Sequence, residues 1–194
     1  KLCLDKSRLR FYIAKRVNYW KFVRSEGTQV RFDQFTFKAQ EAIQAAQKAA
    51  DDMQQQAVDV EHLLLALAEQ SDGVLLPLLQ KVGASPRQIA ASLRQELAKL
   101  PKVYGPTQTF ITPRLNEVFK RAQEEAGRLK DEYISIEHLF LAILDDSSGV
   151  SAQVLKSNGV TKDKVYSALQ AVRGGQRVTD PSPEDKYQAL TKYG

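Results

Sequence analysis

The sequence predicts an all-α protein built from two tandem four-helix repeats related by a pseudo-two-fold axis. Two observations carry that expectation. Residues 36–96 align without a gap on residues 112–172, an offset of 76 with 16 identities among 61 pairs. Within both halves apolar residues recur at three- and four-residue spacing, while no segment alternates like a strand and β-branched residues never cluster.

The elements follow in order. Thr36 and Thr112 are placed to cap a first helix, with Pro113 favourable in the first turn of the second copy. Ala39, Ile43, Ala46 and Ala50 then repeat at helical spacing, as do Leu115, Phe119, Ala122 and Ala126. Asp59 and Ser135 each supply an oxygen for the free amides of a second helix. Gly73 and Gly149 are read as ending that helix and opening a short third one, which Gly83 and Gly159 close. Ser85-Pro86 and Thr161 start the fourth helix, running to about Leu97 and Val172. Repeat one thus spans 36–97, the linker 98–111 with Pro101, Gly105 and Pro106, and repeat two 112–172.

The ends differ in kind. Residues 173–194 shift to Gly, Pro and charge, the signature of a flexible linker, with Ser182-Pro183-Glu184 suited to begin a helix that is still finishing at Gly194. This points to further protein beyond. The net charge of +5 is also uneven: residues 1–31 hold nine Lys or Arg against Asp5 and Glu26, so the remainder carries −2. The basic character belongs to an arm, residues 1–30, and not to a basic stripe on a folded nucleic-acid-binding domain. Phe11, Ile13, Val17, Trp20 and Phe22 have the spacing of an amphipathic basic helix, but the arm reads as a non-native or misassigned extension.

Several chemistries are excluded or disfavoured. No run approaches the ~18–20 apolar residues of a membrane helix. A single cysteine, Cys3, rules out an internal disulfide, and with two histidines it is too little for a zinc site. No phosphate-binding G-x-x-x-x-G-K-[ST] loop, nucleophile elbow or Cys–His arrangement occurs. The repeated pairs Glu61-His62 and Glu137-His138 look catalytic, yet they lack the H-x-x-x-H spacing of a metal face. They fall in the first turn of a helix, where a carboxylate complements the dipole and a histidine hydrogen-bonds locally.

The motifs EHLLLAL (61–67) and EHLFLAI (137–143), each followed by Ser-x-Gly-Val and a later glycine, resemble the Clp N-terminal repeat. RFDQFTFKAQEAI (31–43), LPKVYG (100–105) and the segment 173–194 are similar to the disaggregating branch of that family rather than to its protease-partner branch. The resemblance covers 31–194. It implies an N-terminal domain that captures exposed hydrophobic segments of unfolded or aggregated proteins. The complete cytoplasmic protein would form homohexamers, carry two AAA+ modules that hold ATP and Mg, and work with the DnaK system. For the residues in hand it implies no cofactor, catalysis, nucleic acid or membrane. An adaptor-docking module is the alternative, and a passive spacer a third reading.

The resemblance also assigns client handling to positions matching Thr36, Asp131 and Glu137, expected at the surface. Leu115, Phe119 and Tyr133 are further candidates for an apolar groove, with a place in the core equally open to them. Asp131 stands out because its repeat counterpart is the uncharged Gln55, whereas Glu137 has Glu61.

Overall fold

Each repeat starts where a threonine closes a helix. In the computed structural model, which describes residues 31–71, 73–105, 108–173 and 176–183, the Thr36 hydroxyl accepts from the Ala39 amide at 3.3 Å and Thr112 accepts from Leu115 at 3.1 Å. After a 3-10 turn at Phe32–Gln34, repeat one comprises α1 (Phe37–Asp52), α2 (Val60–Glu69), α3 (Leu75–Val82) and α4 (Pro86–Leu97). Repeat two comprises α5 (Pro113–Leu129), α6 (Ile136–Leu144), α7 (Gly149–Ser157) and α8 (Lys162–Arg173). The all-α fold and its tandem repeats are as expected.

The 76-residue offset extends to backbone conformation. Gln54 (φ 60°) and Lys130 (φ 58°), an offset pair, both turn left-handed just beyond α1 and α5. Gly83 and Gly159, also an offset pair, do the same after the third helices, a region that glycine enters without Cβ strain. One expectation needs correction. Neither Gly73 nor Gly149 ends its second helix, since α2 already stops at Glu69 and α6 at Leu144, although Gly149 does open α7. A Cβ on Gly73 would come within 3.1 Å of Ile136 Cδ1.

The two repeats are interlocked rather than stacked. α3 packs on α8, and reciprocally α4 packs on α7, so the third helix of each repeat leans on the fourth helix of the other. α1–α2 and α5–α6 pack within their own repeats, and α2 meets α6 between the halves. The buried faces are aliphatic, with Leu63, Leu64, Leu65, Leu78, Leu79 and Ile89 at 1% exposure or less. At about 25 cal/mol per Å² of apolar surface removed from water, such side chains supply the main drive for folding.

Two short parallel pairings complete the exchange. β1 (Ala57–Val58) runs beside β2 (Phe110–Ile111), and Phe35 bridges Ile134 in the same sense. Val58 and Ile111 shift by 76 onto Ile134 and Phe35, so each repeat lends its entry strand to the other. A two-residue ladder and a single bridge escape sequence periodicity because alternation needs four residues or more to register.

At the C-terminal side, residues 176–183 fold back on the domain, Val178 being 0% exposed, so this part of the expected flexible linker is a docked strap. The basic arm 1–30 and the helix expected after Pro183 lie outside the described residues. Among the described residues no helix is long and apolar enough to cross a membrane.

Candidate functional site

The two Glu–His pairs are built from the cap upward. The backbone amides of Asp59 and Ser135 donate to Nδ1 of His62 (3.1 Å) and His138 (2.9 Å), each histidine sitting three residues into its helix. With Nδ1 accepting, the ring proton sits on Nε2 and points inward. In repeat one it meets Gln55 Oε1 at 2.7 Å, and in repeat two Asp131 Oδ2 at 2.9 Å. Gln55 also donates to the Leu97 carbonyl (2.5 Å), while Asp131 accepts from Arg173 Nη2 (2.8 Å on both oxygens). The neutral set Gln55–His62–Leu97 therefore maps residue by residue onto the ionic set Asp131–His138–Arg173. Burial pushes the His62 pKa down. Both histidines are 0% exposed, and among the described residues no cluster could hold a metal ion.

Asp131 is the centre of the ionic set. Besides His138 and Arg173 it accepts from the Val178 amide at 2.7 Å, and its side chain is 0% exposed. Burial opposes its ionisation, but His138, the Val178 amide and Arg173 together hold its carboxyl below the ordinary carboxylate range. Glu137 is 1% exposed and faces Arg173 at 3.8 Å, with no hydrogen bond to either oxygen.

The expectation that these groups lie at the surface is thus corrected. Asp131 is covered by the C-terminal strap and the end of α8, and Glu137 faces Arg173 at the end of α8. Thr36 is 0% exposed, its hydroxyl engaged as a helix cap and its amide bonded to the Ile134 carbonyl at 2.9 Å. Leu115 and Phe119 are each 1% exposed, Phe119 edge-on to Phe35 at 6.0 Å, so they fill the core and line no open groove. Tyr133 is partly exposed, as is Asp131, whose side chain is nonetheless 0% exposed. The structure does bring Asp131, Glu137 and Thr36 to one neighbourhood, at the junction of α1, α6 and the strap.

Sequence reasoning missed Arg114, Arg173 and Glu125. Arg114, at the start of α5, forks onto Glu61 of repeat one at 2.8 and 2.9 Å and also reaches Asp146, Ser151 and the Ser148 carbonyl. Burial disfavours the Glu61 carboxylate, yet Arg114 outweighs it and holds the pKa low. Glu125, 1% exposed, joins α5 to α8 through Lys162 and Tyr166. The repeat held a signal for Arg114: its counterpart is Lys38 and that of Glu61 is Glu137, so a base and an acid recur at both offsets.

Among the described residues, four of the five exposed large apolar side chains fall in one stretch. Leu100, Val103, Tyr104 and Phe110 are 46, 37, 78 and 50% exposed, all within the crossing between repeats. The Val103 amide binds the Gln54 carbonyl at 2.8 Å and the Phe110 amide binds Gln56 at 2.9 Å. Those carbonyls are two residues apart, about 7 Å of chain at most, which brings the backbones of Val103 and Phe110 to one edge of repeat one, so the four residues form a strip along the 100–110 segment.

The Clp repeat (R) N-terminal domain matches residues 34–158, and the chain belongs to that family. It is 42% identical over 165 residues to the chaperone protein ClpB of Nitratidesulfovibrio vulgaris, covering 82% of this chain and 19% of the relative. The chain thus spans about a fifth of the length of such relatives and corresponds to a ClpB-like N-domain. Its fold matches the Hsp104 N-terminal domain from Candida albicans with a TM-score of 0.68 at 22% identity, covering 78% of this chain and 99% of that one. A complex of the ClpV N-domain with a VipB peptide matches with a TM-score of 0.60 at 15% identity, covering 80% and 99%.

Proposed function

We propose that this domain captures exposed hydrophobic segments of unfolded or aggregated proteins and delivers them to ATP-driven modules elsewhere in a longer chain. The observation that supports the reading is the strip of Leu100, Val103, Tyr104 and Phe110. Large apolar side chains left exposed within one short segment of an otherwise charged domain mark an interaction site. Lys99 and Lys102, both exposed, border it. Such a strip offers area without a fixed shape, which suits weak binding of many sequences. ATP and Mg would be held by those further modules, which would also form the homohexamer and engage the DnaK system, in the cytoplasm. The residues in hand would carry no catalysis.

The test is fluorescence titration of this domain with a permanently unfolded, carboxymethylated protein and with the same protein in its native form. Binding of the unfolded form alone, with no fixed stoichiometry, is the expected result. Equal affinity for both forms, or for neither, defeats the reading. A second reading, adaptor docking, is favoured by the ClpV N-domain complex with a peptide. It requires one folded partner bound at one-to-one stoichiometry, which calorimetry would show.

A further inference from the structure

The strap 176–183 is held in a manner that any extended chain could copy. The Val178 amide donates to Asp131 Oδ1 (2.7 Å), its carbonyl accepts from the Glu132 amide (2.9 Å), and the Pro181 carbonyl accepts from the amide of Phe37 (2.9 Å). Phe37 opens α1, where the first amides have no partner within the helix. All three bonds use the strap's main chain. Only the Val178 and Pro183 side chains are buried, while Gln176, Arg177 and Thr179 point to solvent.

The receiving side is preorganised. Asp131 is held by Arg173 from α8 and by His138 from α6, neither of which belongs to the strap. Loss of the strap would therefore uncover an already paired carboxylate acceptor, two amide donors on Glu132 and Phe37, and a pocket sized for a valine. Beside it stands the Phe37 ring, 55% exposed and the one large exposed apolar side chain of the described residues outside the 98–111 linker.

We propose that this groove is a receptor for extended polypeptide and that residues 176–183 are its resident, displaceable occupant. The incoming partner is an unfolded segment with a β-branched aliphatic residue and free main-chain groups. Main-chain recognition with few apolar anchors, here Val178 and Pro183, tolerates sequence. The proposal rests on the client-capture reading and gives it a second site, closed at rest and opened by competition. It also accounts for Asp131: buried under the strap, its carboxylate is the group that an incoming amide would meet.

The experiment uses the full chain and a fluorescent peptide with the sequence of residues 176–183. Val178→Asp places a charge in the apolar pocket and evicts the strap. The peptide should bind this variant at least tenfold more tightly than the wild type, and the gain should vanish when Asp131→Asn is added. Equal binding to wild type and Val178→Asp, with the helical circular dichroism of both intact, overturns the proposal. A second measurement needs no variant. Saturating the wild type with the carboxymethylated protein should speed hydrogen exchange at the Val178 amide while α2 and α6 stay protected. If the unfolded protein binds and Val178 protection is unchanged, the groove is not a receptor, although client capture stands. If the unfolded protein fails to bind but the peptide occupies Val178→Asp, the groove stands and the client reading falls.

Discussion

Arg114 Nη1 lies 2.8 Å from Glu61 Oε2 and Nη2 lies 2.9 Å from Glu61 Oε1, a two-pronged ion pair joining residues 53 positions apart in different repeats. The offset counterparts do not repeat it. Lys38 bonds Glu41 at 2.9 Å, and Glu137 faces Arg173. The duplicated scaffold has thus spent one acid on joining the halves and turned the other toward Arg173 at the end of α8.

Replacing Arg114 by Met should leave Glu61 and Asp146, each with side chains 10% exposed, without their cation. Removing one partner of such a pair costs on the order of 3 kcal/mol. A urea titration should show that loss, and Arg114→Met combined with Glu61→Gln should recover part of it. A single variant as stable as the wild type would show that packing alone joins the repeats.

Gly149 and Gly83 offer a matched pair of substitutions. Both are left-handed, at φ 82° and 85°, but a Cβ on Gly149 would strike the Arg114 guanidinium while one on Gly83 has nothing within 4 Å. Gly83→Ala should cost about 1–2 kcal/mol from backbone strain alone. Gly149→Ala should cost clearly more, because the fork must also shift. Equal changes in melting midpoint would mean that Arg114 moves aside freely.

Acid should weaken the domain through Asp131. Its folded-state pKa is lowered, so the folded state favours the ionised form. An unfolded aspartate titrates near ~3.9, so the stabilisation is complete above that value and lost as pH falls through the lowered folded value. Asp131→Asn should therefore cost on the order of 3 kcal/mol at pH 7, and the gap from wild type should close toward pH 2. Urea midpoints measured across that range decide it. A gap that does not change with pH would mean that charge is not what Asp131 contributes.

Tyr104→Ser with Phe110→Ser should weaken capture of a carboxymethylated protein severalfold while leaving the melting temperature within about 2 °C. Both side chains are half exposed or more and bury little on folding. Unchanged capture would move the primary site away from the linker strip.

Much of this molecule could be read along the chain because its signals are local or repeated. Thr36, Thr112, Asp59 and Ser135 announce helix starts by chemistry acting within three residues, and the 76-residue offset exposes the duplication directly. The structural role of the Glu–His pairs was legible for the same reason. The surface placement expected for Asp131 and Glu137 was not correct, since burial depends on which distant segment covers a residue. Only the tertiary structure decided that the third helices exchange between repeats, that Val58 pairs with Ile111 and Phe35 with Ile134, and that Val178 returns 47 residues along the chain to cap Asp131. Such contacts leave no periodicity in the sequence. They are chosen by the apolar area that closes and by the partners a buried charge requires, and both quantities exist only once the chain has folded.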